Sequence, residues 1–140
     1  MTTAASTRPG LFAVLHASSV LESRAEAKLA EVGLSIAKLA ALRQLADAGN
    51  SLPLGQLAER LSCVKSNVTQ LVDRLEADGL VSRETDPGDR RSRIAVLTES
   101  GRKACARGTQ MLQTAERELF SSLSRDESAQ LHDLLSKLSR

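Results

Sequence analysis

Twenty-two residues near the middle of the chain, LGQLAERLSCVKSNVTQLVDRL from Leu54 to Leu75, constrain the fold more than any other stretch. Leu54, Leu57, Ala58 and Leu61 recur at helical spacing, and so do Val68, Leu71, Val72 and Leu75. Two apolar stripes of that period predict two amphipathic helices. The first starts at Pro53, which suits a first helical turn. The second runs roughly from Lys65 to Asp78 and is closed by Gly79, with a tight turn around Ser62 and Cys63 between them.

That pattern is a helix-turn-helix, in which the second helix is available to a DNA major groove. At about 100° per residue, Ser66, Gln70 and Asp73 lie opposite the Val68–Leu71–Leu75 stripe, with Asn67, Thr69 and Arg74 on the flanks. Lys65 sits at the N-terminal end. Elsewhere a solvated helix of this chain, LESRAEAKLAE, is built from Glu, Lys and Arg, whereas this face is mostly short and polar. Asn and Gln pair bidentately with adenine, and Lys reaches guanine. A polar helix face with no ligand is the competing reading, and the next segment of the chain weighs against it.

That segment reads as a hairpin. Leu80–Thr85 and Arg93–Leu97 predict two strands around Pro87-Gly88, which is turn chemistry. The stretch DPGDRRSRIAVL crowds Asp86, Asp89, Arg90, Arg91 and Arg93 at its tip. A two-stranded wing beside a recognition helix lies over the neighbouring backbone and minor groove, where the concentrated negative potential favours Arg. Strand alternation predicts Arg91 and Arg93 on one face and Arg90 on the other, with Asp89 near enough to brace one of them. A solvated, salt-bridged turn is the bland alternative.

Composition sets the limits around this unit. With 140 residues the chain suffices for one domain and a real core. Phe12 and Phe120 are its only aromatic residues, so the core must be aliphatic and base-stacking platforms are lacking. A net charge of +2 requires any polyanion-binding surface to be local. The two cysteines, Cys63 and Cys105, form no CxxC, and with His16 and His132 they offer no metal-ligand spacing. Both are read as packing thiols, with redox sensing as the minority role. No run approaches a membrane span, and GLFAVLHASSVL continues into a charged helical pattern, so it is not read as a leader. The expected location is the cytoplasm.

The flanks are helical. Residues 1–9 are small and polar, and they are expected to form a flexible N-terminus. Leu11 to Val32 keeps a helical period up to Gly33, and Ser35 can cap a helix carrying Ile36, Leu39, Ala40 and Leu42. Ser51-Leu52 can form a very short strand. Thr98 can cap a long helix through Met111, Leu112, Ala115, Leu119 and Leu123, and Ser124 with Glu127 makes a capping box. Leu131, Leu134, Leu135 and Leu138 then share a stripe on a last helix. The expected fold is mainly α with a small β-wing: a winged helix-turn-helix over residues 35–97 within one domain, 10–140.

The segment LPLGQLAERLSCVKSNVTQLVDRLEADGLVSRETDPGDRRSRIAVLTESG, Leu52 to Gly101, resembles the MarR family of bacterial transcriptional regulators. Helix order and length extend the resemblance, more weakly, over nearly the whole chain. It implies a homodimer joined by helices within 10–33 and 98–140, reading two half-sites of a pseudo-palindromic double-stranded operator, in the sense of a repressor. The family's Asp-x-Arg wing pattern falls on Asp89 and Arg91, implying an Arg in the minor groove and an Asp that positions it. Base and phosphate contacts fall on Lys65, Ser66, Asn67, Thr69 and Gln70, with Arg74, Arg90 and Arg93 toward the backbone. Many members carry a small polar capping residue where this chain has Val64. The resemblance also implies release by a small lipophilic or aromatic effector, in a pocket that His16 could line, or by cysteine oxidation. Metal binding is a third family signal, but the residues offer no metal-ligand cluster, so neither a metal nor a cofactor is expected. A winged-helix protein–protein module that binds no DNA remains the second reading. An enzyme is remote, because no catalytic set converges.

Overall fold

The computed structural model describes residues 10–61 and 67–140. The segments 1–9 and 62–66, the latter with Cys63, Val64, Lys65 and Ser66, lie outside the described residues. The chain runs α1 (Leu11–Ala30), α2 (Ile36–Asp47), β1 (Ser51–Pro53), α3 (Leu54–Arg60), α4 (Val68–Ala77), β2 (Val81–Asp86), β3 (Asp89–Leu97), α5 (Glu99–Leu119) and α6 (Arg125–Leu138).

Side-chain caps set most of the helix starts. Ser35 accepts the Lys38 N–H for α2, and Thr98 accepts the Gly101 N–H for α5. Ser124 and Glu127 close the expected capping box on α6. Each cap satisfies amide donors that have no partner inside the helix. Glu26 adds a tertiary cap, its carboxylate accepting the Ile36 N–H at 2.6 Å. Gly79 ends α4 in the left-handed region (φ +75°), and the Leu80 N–H returns to the Leu75 carbonyl at 2.9 Å.

One antiparallel sheet has the order β1-β3-β2. β1 adds a third strand beside the expected hairpin, with Leu52 opposite Ala95. The hairpin strands run further toward the tip than alternation predicts, leaving only Pro87-Gly88 as the turn. The core is aliphatic: Leu29, Leu42, Leu45, Leu57, Val72, Leu75 and Ala95 are fully enclosed. Each such Leu removes enough apolar surface from water to stabilise the fold by roughly 1.5–3 kcal/mol. Ala58, assigned to the buried stripe from its spacing, is exposed instead, because α3 turns Leu54 and Leu57, with its C-cap Leu61, toward the core and leaves Ala58 on the outer side.

Two regions of apolar surface stay uncovered. In the first half of α1, Leu11, Phe12 and Leu15 are exposed, Phe12 by 86%. On α6, Leu134, Leu135 and Leu138 are exposed, and the helix buries no residue. The leucine stripe of the last helix thus forms as the spacing predicts but finds no partner within the described part of the chain. No described helix is long and apolar enough to cross a membrane.

Candidate nucleic-acid interface

The second helix of the central pair begins later than its apolar pattern suggests. Its first residue is Val68, not Lys65, and its N-cap is Asn67, whose Oδ1 accepts the Gln70 N–H at 3.2 Å. This corrects the expected start of the helix. The cap lies three positions beyond Val64, so the valine there need not cap anything. One lone pair of the Asn67 oxygen is taken by the cap, and its amide N–H groups have no partner among the described hydrogen bonds.

Along α4 the helical repeat divides the polar side chains into two flanks. Asn67, Gln70 and Arg74 border a cleft of about 340 Å³ whose far wall carries Glu26, Ser35 and Lys38. Thr69, Asp73 and Glu76 lie toward β2. Thr69, Gln70 and Arg74 are all exposed. Lys38 pairs with Asp78 at 2.9 Å and so ties α2 to the end of α4.

The wing tip is held by two aspartates acting on backbone. The Gly88 N–H donates to Asp86 Oδ1 at 2.9 Å, and the Arg91 N–H donates to Asp89 Oδ1 at 3.0 Å. The expected brace is therefore real but of a different kind: Asp89 fixes the main chain at Arg91, and no ion pair joins it to a guanidinium among the described residues. The simple alternation of the arginines also fails. The register passes from Thr85↔Arg93 to Asp86↔Asp89, so Arg90, Arg91 and Ser92 have no opposite residues in β2. Such a bulge re-aims side chains and increases local twist. Arg90, Arg91 and Arg93 are all exposed.

One residue of this surface is missed by reading the sequence alone. Arg83 on β2 reaches back to α4, with its guanidinium on the Asp73 carboxylate and its own N–H donating to Glu76 Oε2 at 3.2 Å. A signal was available. Asp73 stands on an outward face that otherwise suits a polyanion, and a carboxylate there calls for a cationic partner.

The remaining candidates lie elsewhere. His16 is exposed on the first half of α1, away from the clefts described for this chain. Cys105 is buried in the core, and desolvation pushes its thiol pKa up, against a weaker lowering by the Thr109 hydrogen bond and the Arg43 charge. A raised pKa disfavours the thiolate that redox chemistry requires. Two clefts lie between α1 and α5 (about 380 Å³, with Ala27, Lys28, Ala115 and Leu119) and against Leu29, Leu39 and Leu112 (about 210 Å³). No cluster of three or more metal-binding side chains forms among the described residues.

A helical pair whose second member presents a polar face, succeeded at once by an arginine-tipped hairpin, defines a winged helix-turn-helix protein. Comparison with known proteins agrees: residues 34–92 match the model of the MarR family. Over that segment the chain is similar to the MarR family of regulators. It is 40% identical over 84 residues to YkoM of Bacillus subtilis, named an uncharacterized HTH-type transcriptional regulator, covering 60% of this chain and 54% of YkoM. Over 53 residues it is 43% identical to BadR of Rhodopseudomonas palustris, a transcriptional activatory protein, covering 38% of this chain and 30% of BadR. The chain thus spans about half the length of the first of these relatives and under a third of the second. Among solved structures, the reduced form of MarR from E. coli superposes with a TM-score of 0.78 at 26% identity, covering 94% of this chain and 97% of the other. A cysteine-to-serine variant of the same MarR, complexed with operator DNA, gives 0.78 at 25% identity, covering 89% of each chain. The fold is that of transcriptional regulators, not of enzymes.

Proposed function

We propose that this protein is a sequence-specific regulator that binds double-stranded DNA as a homodimer. The observation that carries this reading is the pairing of α4's exposed Thr69, Gln70 and Arg74 with a wing whose tip presents Arg90, Arg91 and Arg93 to solvent. With a net charge of only +2, this local basic surface is where phosphates would be drawn. Arg91 is the minor-groove candidate, since Asp89 fixes its main chain, and Lys65 and Ser66 would extend the contact at the start of the recognition helix.

The second subunit would cover the apolar faces of α1 and α6, which residues 10–33 and 98–140 supply. Exposed Phe12, Leu11, Leu15 and Leu138 on two terminal helices are what an interdigitated dimer buries. Two copies place two winged helices on a pseudo-palindromic operator. We take repression as the working sense, because occupying promoter DNA blocks transcription without a further contact surface. BadR, named an activatory protein, makes the opposite sense worth testing with a reporter. Release would come from a small lipophilic or aromatic effector in the α1–α5 cleft rather than from oxidation of the buried Cys105. The protein would work in the cytoplasm.

A gel-shift titration on the DNA upstream of its own gene tests the reading. A shift that weakens steeply between about 50 and 200 mM salt, as counterion release requires, supports it. No salt-dependent shift at micromolar protein counts against it and returns the protein–protein module as the better reading.

A further inference from the structure

We propose that Arg83 is a positioning residue that clamps the wing to the recognition helix, so that the two DNA-contacting elements act as one rigid reader; this rests on the DNA-binding function proposed above.

The geometry is specific to this task. β2 is an edge strand of the β1-β3-β2 sheet, and its free edge faces α4. Arg83 is bound twice across that gap, by guanidinium to Asp73 and by N–H to Glu76, which lie one helical turn apart on α4. Two contacts from one strand residue to one helix flank fix rotation as well as distance. Arg83 lies between the wing root at Val81 and the exposed tip, so it governs where Arg90 and Arg91 point. Its side chain is largely covered, yet its Nε is buried without a hydrogen-bond partner among the described residues. A residue kept only for stability would do better as an apolar one, since an unpaired buried donor is unfavourable. The pair also removes a bare carboxylate from the outward face of α4, but neutralisation alone would not require the second contact to Glu76.

If the clamp aligns the wing, the contribution of Arg91 to binding must depend on Arg83. A duplex selected from a random pool by the wild-type protein serves as the probe, and affinity is measured for Arg91→Ala in three backgrounds: wild-type, Arg83→Gln and Asp73→Asn. Thermal melts establish that each variant is folded. In the wild-type background Arg91→Ala should weaken binding roughly ten- to a hundredfold, as for a base-level contact. In either clamp variant it should weaken binding by less than about threefold, because coupled residues are not additive. Arg83→Lys, which keeps the charge on Asp73, should recover most of the Arg91 effect. Equal Arg91 effects in all backgrounds would overturn the proposal. A second readout needs no DNA. In the free protein, Arg83→Gln should speed amide exchange through Asp86–Arg93 while leaving α2 unchanged. If the wild-type protein selects no duplex, the DNA reading fails, and this exchange measurement decides the clamp by itself: unchanged wing exchange removes it.

Discussion

Replacing Gly101 by alanine should destabilise the fold, although the position is helical and alanine is the better helix former. Gly101 stands in the first turn of α5, where the helix crosses the root of the wing. A Cβ built there would lie 2.0 Å from the Leu80 carbonyl oxygen and 2.7 Å from Leu97 Cδ1. The carbonyl cannot step aside, since it accepts the Thr98 N–H at 3.1 Å, while Thr98 Oγ1 is bound to the neighbouring Gly79 carbonyl at 2.8 Å. Helix propensity favours the substitution by about 1 kcal/mol. Forcing a methyl against fixed backbone outweighs it, at the upper end of the roughly 1–3 kcal/mol range for overpacking or beyond. The net loss should be about 2–3 kcal/mol, a fall in Tm of roughly 7–10 °C for a chain this size. Gly55 provides the internal control: it is exposed in α3 with nothing within 4 Å of its added Cβ, so Gly55→Ala should stabilise by about 0.5–1 kcal/mol. Gly108→Ala should fall between them, because its clashes are with the ends of Leu34 and Leu39 side chains, which can turn away. Calorimetry of the three variants gives the ranking directly. A Gly101→Ala protein that melts at or above the wild-type temperature would refute the packing of α5 against the wing root.

Three further outcomes are expected. Asn67→Ala should lower stability by about 1 kcal/mol through loss of the cap, Asn67→Ser should restore most of it, and both are read by denaturant unfolding. Leu135→Asp with Leu138→Asp should shift the chain from dimer to monomer in sedimentation, and a wild-type chain already monomeric at high concentration would exclude the α1–α6 interface. Cys105, read in a Cys63→Ser background, should react with a disulfide reagent at about pH 8 more slowly than a free thiol, whose pKa lies near 8.5. Burial raises its pKa, so the stability gained from the protonated thiol is complete below the ordinary thiol range and is lost progressively as pH rises from that range through the raised value. A reaction as fast as that of a free thiol would show Cys105 to be accessible.

Local signals made much of the architecture readable. Ser35, Thr98 and Ser124 cap the helices that their positions suggest, because a cap depends on residues within one turn of chain. The stripe of Leu71, Val72 and Leu75 is buried as its period requires. The misreadings arise where tertiary contacts or local competition decide. Apolar spacing could extend the recognition helix back to Lys65, but the side chain of Asn67 competes for the backbone and starts it at Val68. Ala58 fits the helical stripe, yet a seven-residue helix offers the core only one edge. Alternation separates Arg90 from Arg91 on an ideal strand, and the bulge opposite Asp86 breaks that alternation. Arg83 could not be singled out from local pattern, since its partners Asp73 and Glu76 lie on another element. Nor could Gly101, whose small size matters only because the Leu80 carbonyl comes to meet it.

Two copies of this chain reading duplex DNA through α4 and the wing leave a signature in the sequences they retain. Selection from a random duplex pool at about 0.15 M salt, with sequencing of the bound fraction, tests it most directly. The wild-type protein should enrich an inverted repeat with half-site centres about 10–10.5 base pairs apart, and the enrichment should be lost in an Arg90→Ala, Arg91→Ala, Arg93→Ala triple variant that melts like the wild type. A bound fraction with no enriched sequence, or the same repeat enriched by the triple variant, would contradict it.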